Sequence, residues 1–217
     1  MLSGLDQYTR PDLSAVALIT IDTQCDTLDG QPVEIAGTSA ALPRMAQLVA
    51  AFRALHKPVV HIVRIYQKDA GNVDMCRKAA VESGRPMFLS DAPGTQLAPE
   101  ILPSAGVLLD SGTLLAGGIQ RLADREVVIY KPRWGAFFQT PLETHLRALG
   151  VTTLVFAGCN FPNCPRTSIY EASERDFRLV LVNDAVSGLY DRGVAELKNI
   201  GVTVLSTAEL LAQLAAL

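Results

Sequence analysis

Short apolar runs alternate along this chain with stretches of helical periodicity, and that alternation confines it to one fold class. The order reads strand 15–21, helix 38–55, strand 58–65, strand 126–131, helix 140–149, strand 151–157, helix 165–175, strand 178–183, helix 190–198, strand 202–206 and helix 207–216. Strands joined by helices pair in parallel through right-handed crossovers, which cover both faces of the sheet. The expectation is an α/β fold of three layers, α/β/α: a Rossmann-like parallel sheet of about six strands with helices on both faces. Residues 66–124 break the pattern; rich in Gly and Pro and without a long strand, they read as loops and short helices beside the site, any lid included. The 217 residues show no linker, repeat or low-complexity tract, so 1–217 reads as a single domain with a substantial core.

Composition then excludes whole classes of function. A hydrophobic content of 49% and a net charge of −3 leave no basic surplus for nucleic acid, and no run of about 20 apolar residues would span a membrane. Residues 1–13 carry charge throughout and lack the apolar core of a signal peptide. A cytoplasmic protein acting on a small molecule is the expectation. Four cysteines at irregular spacing make no disulfide framework in a chain this size and fit reduced thiols; Cys25 and Cys76 read as structural or incidental.

Three strand ends carry chemistry. Gly158-Cys159-Asn160-Phe161-Pro162-Asn163-Cys164-Pro165 joins the strand at 151–157 to a helix, which puts Cys164 at a helix N-terminus, where free N–H groups and the dipole favour a thiolate. Pro165 suits the first helical turn, where its missing N–H goes unneeded. Asp22 closes the first strand and Lys131 the strand before it. Ligands of an open parallel sheet bind outside the carboxyl ends of its strands, so the three converge on one crevice. Singly each has a plain reading: a strand-end Asp is commonly a turn former, a strand-end Lys points into water, and a free Cys is a small buried hydrophobe. Cys159 belongs to the strand end and reads as structural. Gln24 either binds substrate, orienting Asp22, or bonds backbone in its own turn. Tyr66, the lone Trp134, Phe137, Phe138 and the loop residue Phe161 either wall a substrate pocket or pack in the core.

With these residues in hand the chain resembles the isochorismatase-like cysteine hydrolases, a group that includes nicotinamidases and N-carbamoyl amide hydrolases. Asp22-Thr23-Gln24-Cys25-Asp26 resembles the family's Asp-x-Gln-x-Asp, Lys131-Pro132-Arg133-Trp134-Gly135-Ala136-Phe137 its Lys-x-Arg-x-Ser-Ala-Phe, and residues 158–164 its nucleophile loop. Pro93-Gly94-Thr95, Ile101-Leu102-Pro103 and Asn183-Asp184-Ala185 add to the likeness. The resemblance implies Cys164 as nucleophile, Asp22 as general base and Lys131 as the cation beside them. It also implies a cis peptide at Cys159-Asn160 that turns the Asn160 N–H inward, making an oxyanion hole with the Cys164 N–H. A homo-oligomer, dimer or tetramer, is a further implication. Nicotinamidases of the family carry Asp-x-His and a further His after the second strand; Arg64-Ile65-Tyr66-Gln67-Lys68-Asp69 has neither, so no metal and no cofactor is expected.

The chain departs from the family pattern at Thr27, Gly135, Asn160, Phe161, Pro162 and Pro165, and about a dozen extra residues lie around 111–121. The expected activity is cleavage of an amide, ureido or related C–N bond through a Cys164 thioester. Vinyl-ether hydrolysis of an isochorismate-type substrate and non-catalytic binding on the same fold stay open as alternatives.

Overall fold

In the computed structural model, which describes residues 6–217, seven strands form one sheet: β1 (Val16–Ile21), β2 (Val59–Val63), β3 (Ile119–Ala123), β4 (Glu126–Tyr130), β5 (Thr153–Gly158), β6 (Arg178–Val186) and β7 (Thr203–Leu205). Their order is β3-β4-β2-β1-β5-β6-β7, and every pairing is parallel except β3 with β4. The helices are α1 (Thr38–Ala54), α2 (Met75–Glu82), α3 (Ser111–Leu115), α4 (Leu142–Ala148), α5 (Cys164–Ser173), α6 (Asp191–Asn199) and α7 (Thr207–Leu214).

Strand β1 shows why the chain makes three layers. All six of its residues are buried, and they alternate between two cores. Val16 and Leu18 pack with Met45, Leu48 and Phe52 of α1 and Leu210 and Leu214 of α7. Ala17, Ile19 and Ile21 pack on the other face with Leu146 of α4, Ile169 of α5 and Leu197 of α6. A strand covered on both sides needs an uninterrupted apolar run, and Val-Ala-Leu-Ile-Thr-Ile supplies it. A smaller third cluster of Val33, Tyr66, Val73, Met87 and Phe88 underpins the loops beyond β2.

From β1 the chain runs through α1 to β2 on one side; from β5 it runs through α5 to β6 on the other. The connections diverge between β1 and β5, and such a switch point opens a crevice at the carboxyl ends of the two strands.

The sheet has seven strands where about six were expected, and the additional one, the five-residue edge strand β3, lies within 66–124. Ile-Gln-Arg-Leu-Ala is an edge strand with both faces partly exposed, so it lacks the apolar run that marks the buried strands. The extra residues around 111–121 thus have a place: α3 starts on an Asp110 cap, whose side chain accepts from the Thr113 N–H, and β3 folds back to cover the edge of β4.

Candidate active site

Strand β1 ends in a bend at Asp22, whose backbone takes the left-handed conformation at φ 49°, a region that Asp tolerates better than most residues. The bend is braced from both neighbours: the Asp22 N–H donates to Ile62 O at 2.9 Å, and the Cys159 thiol donates to the Asp22 carbonyl at 3.0 Å. On the other side of β2, the Lys131 N–H donates to Val63 O at 3.0 Å. Two strands therefore fix one carboxylate and one ammonium at the same edge. Lys131 is fully buried, and its Nζ lies 2.9 Å from Asp22 Oδ2 and 3.3 Å from Cys164 Sγ. Asp22, Lys131 and Cys164 are brought together in one cluster.

The nucleophile loop leaves β5 at Gly158, at φ 121° and pressed against the Ile21 backbone where a Cβ would collide. The Cys159–Asn160 peptide is cis. The Phe161 N–H then donates to Ser187 O, and the Asn163 N–H to Asn160 O. Helix α5 begins at Cys164 with Pro165 in its first turn, and no side chain caps it. Among the described residues the N–H groups of Asn160 and Cys164 have no acceptor, so the loop carries two uncommitted donors.

Burial pushes the Cys164 thiol up to about 11, with the Asp22 charge adding to the rise and Lys131 and Arg64 opposing it. This outweighs the helix N-terminus that favours a thiolate in the sequence reading: the resting cysteine is a thiol that needs a base. Burial likewise raises Cys159, to about 12, leaving it the structural role expected of it.

The five residues expected to bind substrate divide. Gln24 is fully buried and spent on backbone: its Nε2 donates to Arg64 O at 2.9 Å and Thr95 O at 2.6 Å, and its Oε1 accepts from the Arg64 N–H at 2.8 Å. It neither orients the Asp22 carboxylate nor has a group left for a ligand. Phe161 is fully buried against the Tyr190 ring and α6, a wedge that anchors the loop. Phe137 packs beside Phe177 and Arg175. Their apolar bulk is what a core needs. Tyr66 and Trp134 remain near the crevice, and between them lies a residue the sequence reading passed over. Arg64 is 1% exposed, with its guanidinium 5.7 Å from the Tyr66 ring centroid and 5.9 Å from that of Trp134. The strand-end rule that finds Asp22 and Lys131 finds Arg64 too, once β2 is ended at Val63 instead of residue 65.

Comparison with known proteins decides the lineage of this arrangement. The family model of the isochorismatase domain matches residues 16–209. The chain belongs to the isochorismatase family. Among isochorismatase-family relatives it is 32% identical over 173 residues to a maleamate amidohydrolase of Pseudomonas putida, covering 78% of this chain and 71% of that one. It is 27% identical over 192 residues to a probable inactive nicotinamidase of Arabidopsis thaliana, covering 86% and 89%. The crystal structure of an isochorismatase family protein from Desulfovibrio vulgaris superposes with a TM-score of 0.78 at 28% identity, covering 93% of this chain and 98% of that one.

Two departures from the isochorismatase motifs have local causes. Gly135 leaves room for the Glu171 carboxylate, which occupies the space of a Cβ and accepts from the Phe137 N–H at 2.8 Å. Thr27 is fully buried, and its hydroxyl donates to Gln24 O at 2.7 Å, closing the turn after Asp22. After β2, where nicotinamidases of the family carry metal ligands, Arg64 cannot ligate a cation and the Tyr66 hydroxyl is bound to Asp74 at 2.6 Å; these residues do not fit a metal.

Proposed function

We propose that this isochorismatase-family protein is a cysteine hydrolase that cleaves an amide, ureido or related C–N bond of a small molecule. The observation that carries the reading is the buried contact of one lysine with both a carboxylate and a thiol, at 2.9 and 3.3 Å. Asp22 takes the proton of the Cys164 thiol, the sulfur forms a bond to the carbonyl carbon, and the C=O electron pair moves to oxygen, which accepts from the Asn160 and Cys164 N–H groups. The pair returns, the C–N bond breaks, and protonated Asp22 gives its proton to the leaving nitrogen. Water then loses a proton to Asp22 and bonds to the acyl carbon, the C–S bond breaks, and the sulfur recovers the proton from Asp22. Lys131 stays cationic and offsets the negative charge as it moves between carboxylate, thiolate and oxyanion.

The raised thiol fits this scheme, because a buried cysteine that rests protonated is activated only when its base is adjacent. Replacing Cys164 by Ala is expected to abolish hydrolysis of small amides and ureido acids while thermal unfolding stays near that of the wild type. Turnover persisting near the wild-type rate would exclude the thioester route.

The relative named as inactive, together with the unusual Asn160-Phe161-Pro162 loop, supports a second reading as a non-catalytic small-molecule binder. In that case no amide or ureido acid is turned over by the wild type, and binding of a small molecule survives Cys164→Ala unchanged. The main reading extends to a cytoplasmic homo-oligomer, supported by composition and by the family resemblance; sedimentation at several concentrations tests the assembly. No helix among the described residues is long and apolar enough to cross a membrane.

A further inference from the structure

We infer that Thr38 and Ser187, two buried hydroxyl residues outside the Asp22, Lys131 and Cys164 cluster, are positioning residues that fix the Asn160 N–H where an oxyanion forms. The inference rests on the hydrolase reading for the oxyanion, and on the packing around the nucleophile loop for the rest.

Ser187 directly follows β6 and meets the nucleophile loop on both sides of Asn160. Its N–H donates to Gly158 O at 3.1 Å, and its carbonyl accepts from the Phe161 N–H at 2.8 Å. Between 159 and 163 the other engaged donors are the Cys159 N–H, on the Ile21 carbonyl, and the Asn163 N–H, on the Asn160 carbonyl. The Asn160 N–H is thus left free between anchored neighbours. Gly188 extends the support: its backbone is left-handed at φ 69°, and a Cβ there would stand 3.3 Å from Pro162 Cδ and 3.5 Å from Asn160 Cβ. The loop is not packed all round, since Asn160 and Asn163 line a cavity of 320 Å³ that Cys76 of α2 also lines. Its hold therefore comes from residues 187–188 and from the Phe161 wedge.

The Ser187 side chain is held in turn by α1. Ser187 is 4% exposed, and its Oγ accepts at 3.1 Å from the hydroxyl of Thr38, the fully buried first residue of that helix. Leu42, Met45, Leu48 and Phe52 anchor α1 in the core, so the bond refers the loop to a rigid element other than its own flanking strands. A hydroxyl pair where Val and Ala would fill the space needs a reason, because a buried polar group is costly unless bonded, and the bond fixes a geometry that apolar packing leaves looser. The Thr38 hydroxyl also acts on the Cys159 thiol, whose bond of 3.0 Å to the Asp22 carbonyl braces the base. One threonine therefore registers the oxyanion donor against the turn that carries the base. Donors fixed in advance stabilise a developing charge because they need not move to meet it, and a small displacement forfeits much of that effect.

The test sets a reagent that needs the oxyanion donors against one that does not, in a Cys76→Ser background. With propionaldehyde the Cys164 sulfur bonds to the carbonyl carbon, the thiol proton passes to Asp22, and the C=O electron pair moves to an oxygen that the two N–H groups hold. Methyl methanethiolsulfonate instead transfers its methylthio group to the sulfur as methanesulfinate leaves, with no oxyanion at the loop. Aldehyde affinity is read as protection of Cys164 from the thiosulfonate, so no turnover is needed. The variants are Thr38→Val, Ser187→Ala, Thr38→Ser and the double Thr38→Val/Ser187→Ala, which removes both hydroxyls so that neither is stranded; thermal melts check that each folds. Thr38→Val, Ser187→Ala and the double variant should each weaken aldehyde binding by about 10-fold, less than the 10²–10³-fold of losing a donor outright, while the labelling rate without aldehyde holds. The double variant should be no worse than the singles, because the two hydroxyls make one bond, and Thr38→Ser should keep the wild-type affinity. For any amide the wild type hydrolyses, kcat should fall by the same factor with KM unchanged. Aldehyde affinity unaltered in the folded variants, labelling that slows in step with it, or a wild type that aldehyde does not protect would overturn the inference and leave the thioester route to its own test. Aldehyde binding that depends on the pair, without turnover of any amide, would sink the hydrolase reading and leave the positioning role standing.

Discussion

Cys164 owes its chemistry to its neighbours more than to its own place on a helix. Burial and the Asp22 charge raise its thiol, while Lys131 holds it down. The two partners therefore have opposite signs, and substitution separates them. Lys131→Met is expected to move the alkylation midpoint further up, and Asp22→Asn to move it down. Asp22→Asn should also cost about 10²–10⁴-fold in kcat, the usual worth of a general base. Iodoacetamide rates against pH check both shifts, in a Cys76→Ser background because Cys76 is exposed and borders the cavity. A midpoint indifferent to Lys131→Met would remove the lysine from the site.

At the scale of elements, the nucleophile loop is held by what it buries. Phe161 is wedged against α6, where Gly193 leaves no room for a Cβ beside the ring. Alanine normally gains a helix about 1 kcal/mol over glycine, but overpacking a closed core costs about 1–3 kcal/mol, and a fully buried ring cannot retreat. Gly193→Ala should therefore lower the Tm by a few degrees and slow turnover by shifting Asn160; a raised Tm with unchanged kcat would refute the wedge. What could be read from the sequence follows the same division. Buried strands announce themselves as apolar runs, so β1, β4 and β5 were legible, and with them Asp22 and Lys131 at two strand ends and Cys164 at the start of the helix that follows the third. Strand β3 was not, because an exposed edge needs no apolar pattern. Arg64 was missed because a strand read two residues too long hid it, and the choice between pocket and packing stayed open for Phe161 and Gln24 because sequence does not reveal which way a side chain turns.

Across the whole molecule, one polar row crosses the core between the strands. Arg53 grips Glu126 with two bonds of 2.6 Å, His61 Nε2 lies 2.9 Å from Glu126 Oε1, and Thr20 Oγ1 lies 2.7 Å from His61 Nδ1. An ionised Glu126 accepts from the Nε2–H of His61. Burial alone would raise Glu126, but the bonds from Arg53 and His61 win and bring it down to about 2. A depressed carboxylate contributes stability that is present above its unfolded value of 4.5 and lost as pH falls towards 2. Glu126→Gln should unfold more easily at pH 7 and lose less between pH 4.5 and 2; melts across that range that parallel the wild type would refute the assignment. The pairing of β1 with β5 has a consequence in time as well as in space. Cys159 grips the Asp22 carbonyl from 137 residues further along the chain, so this brace on the backbone of the base forms only once β5 has docked. A nascent chain therefore carries Asp22 for most of its synthesis without this brace and without Cys164 beside it, and the site is completed late, with the distant contacts that fold slowest.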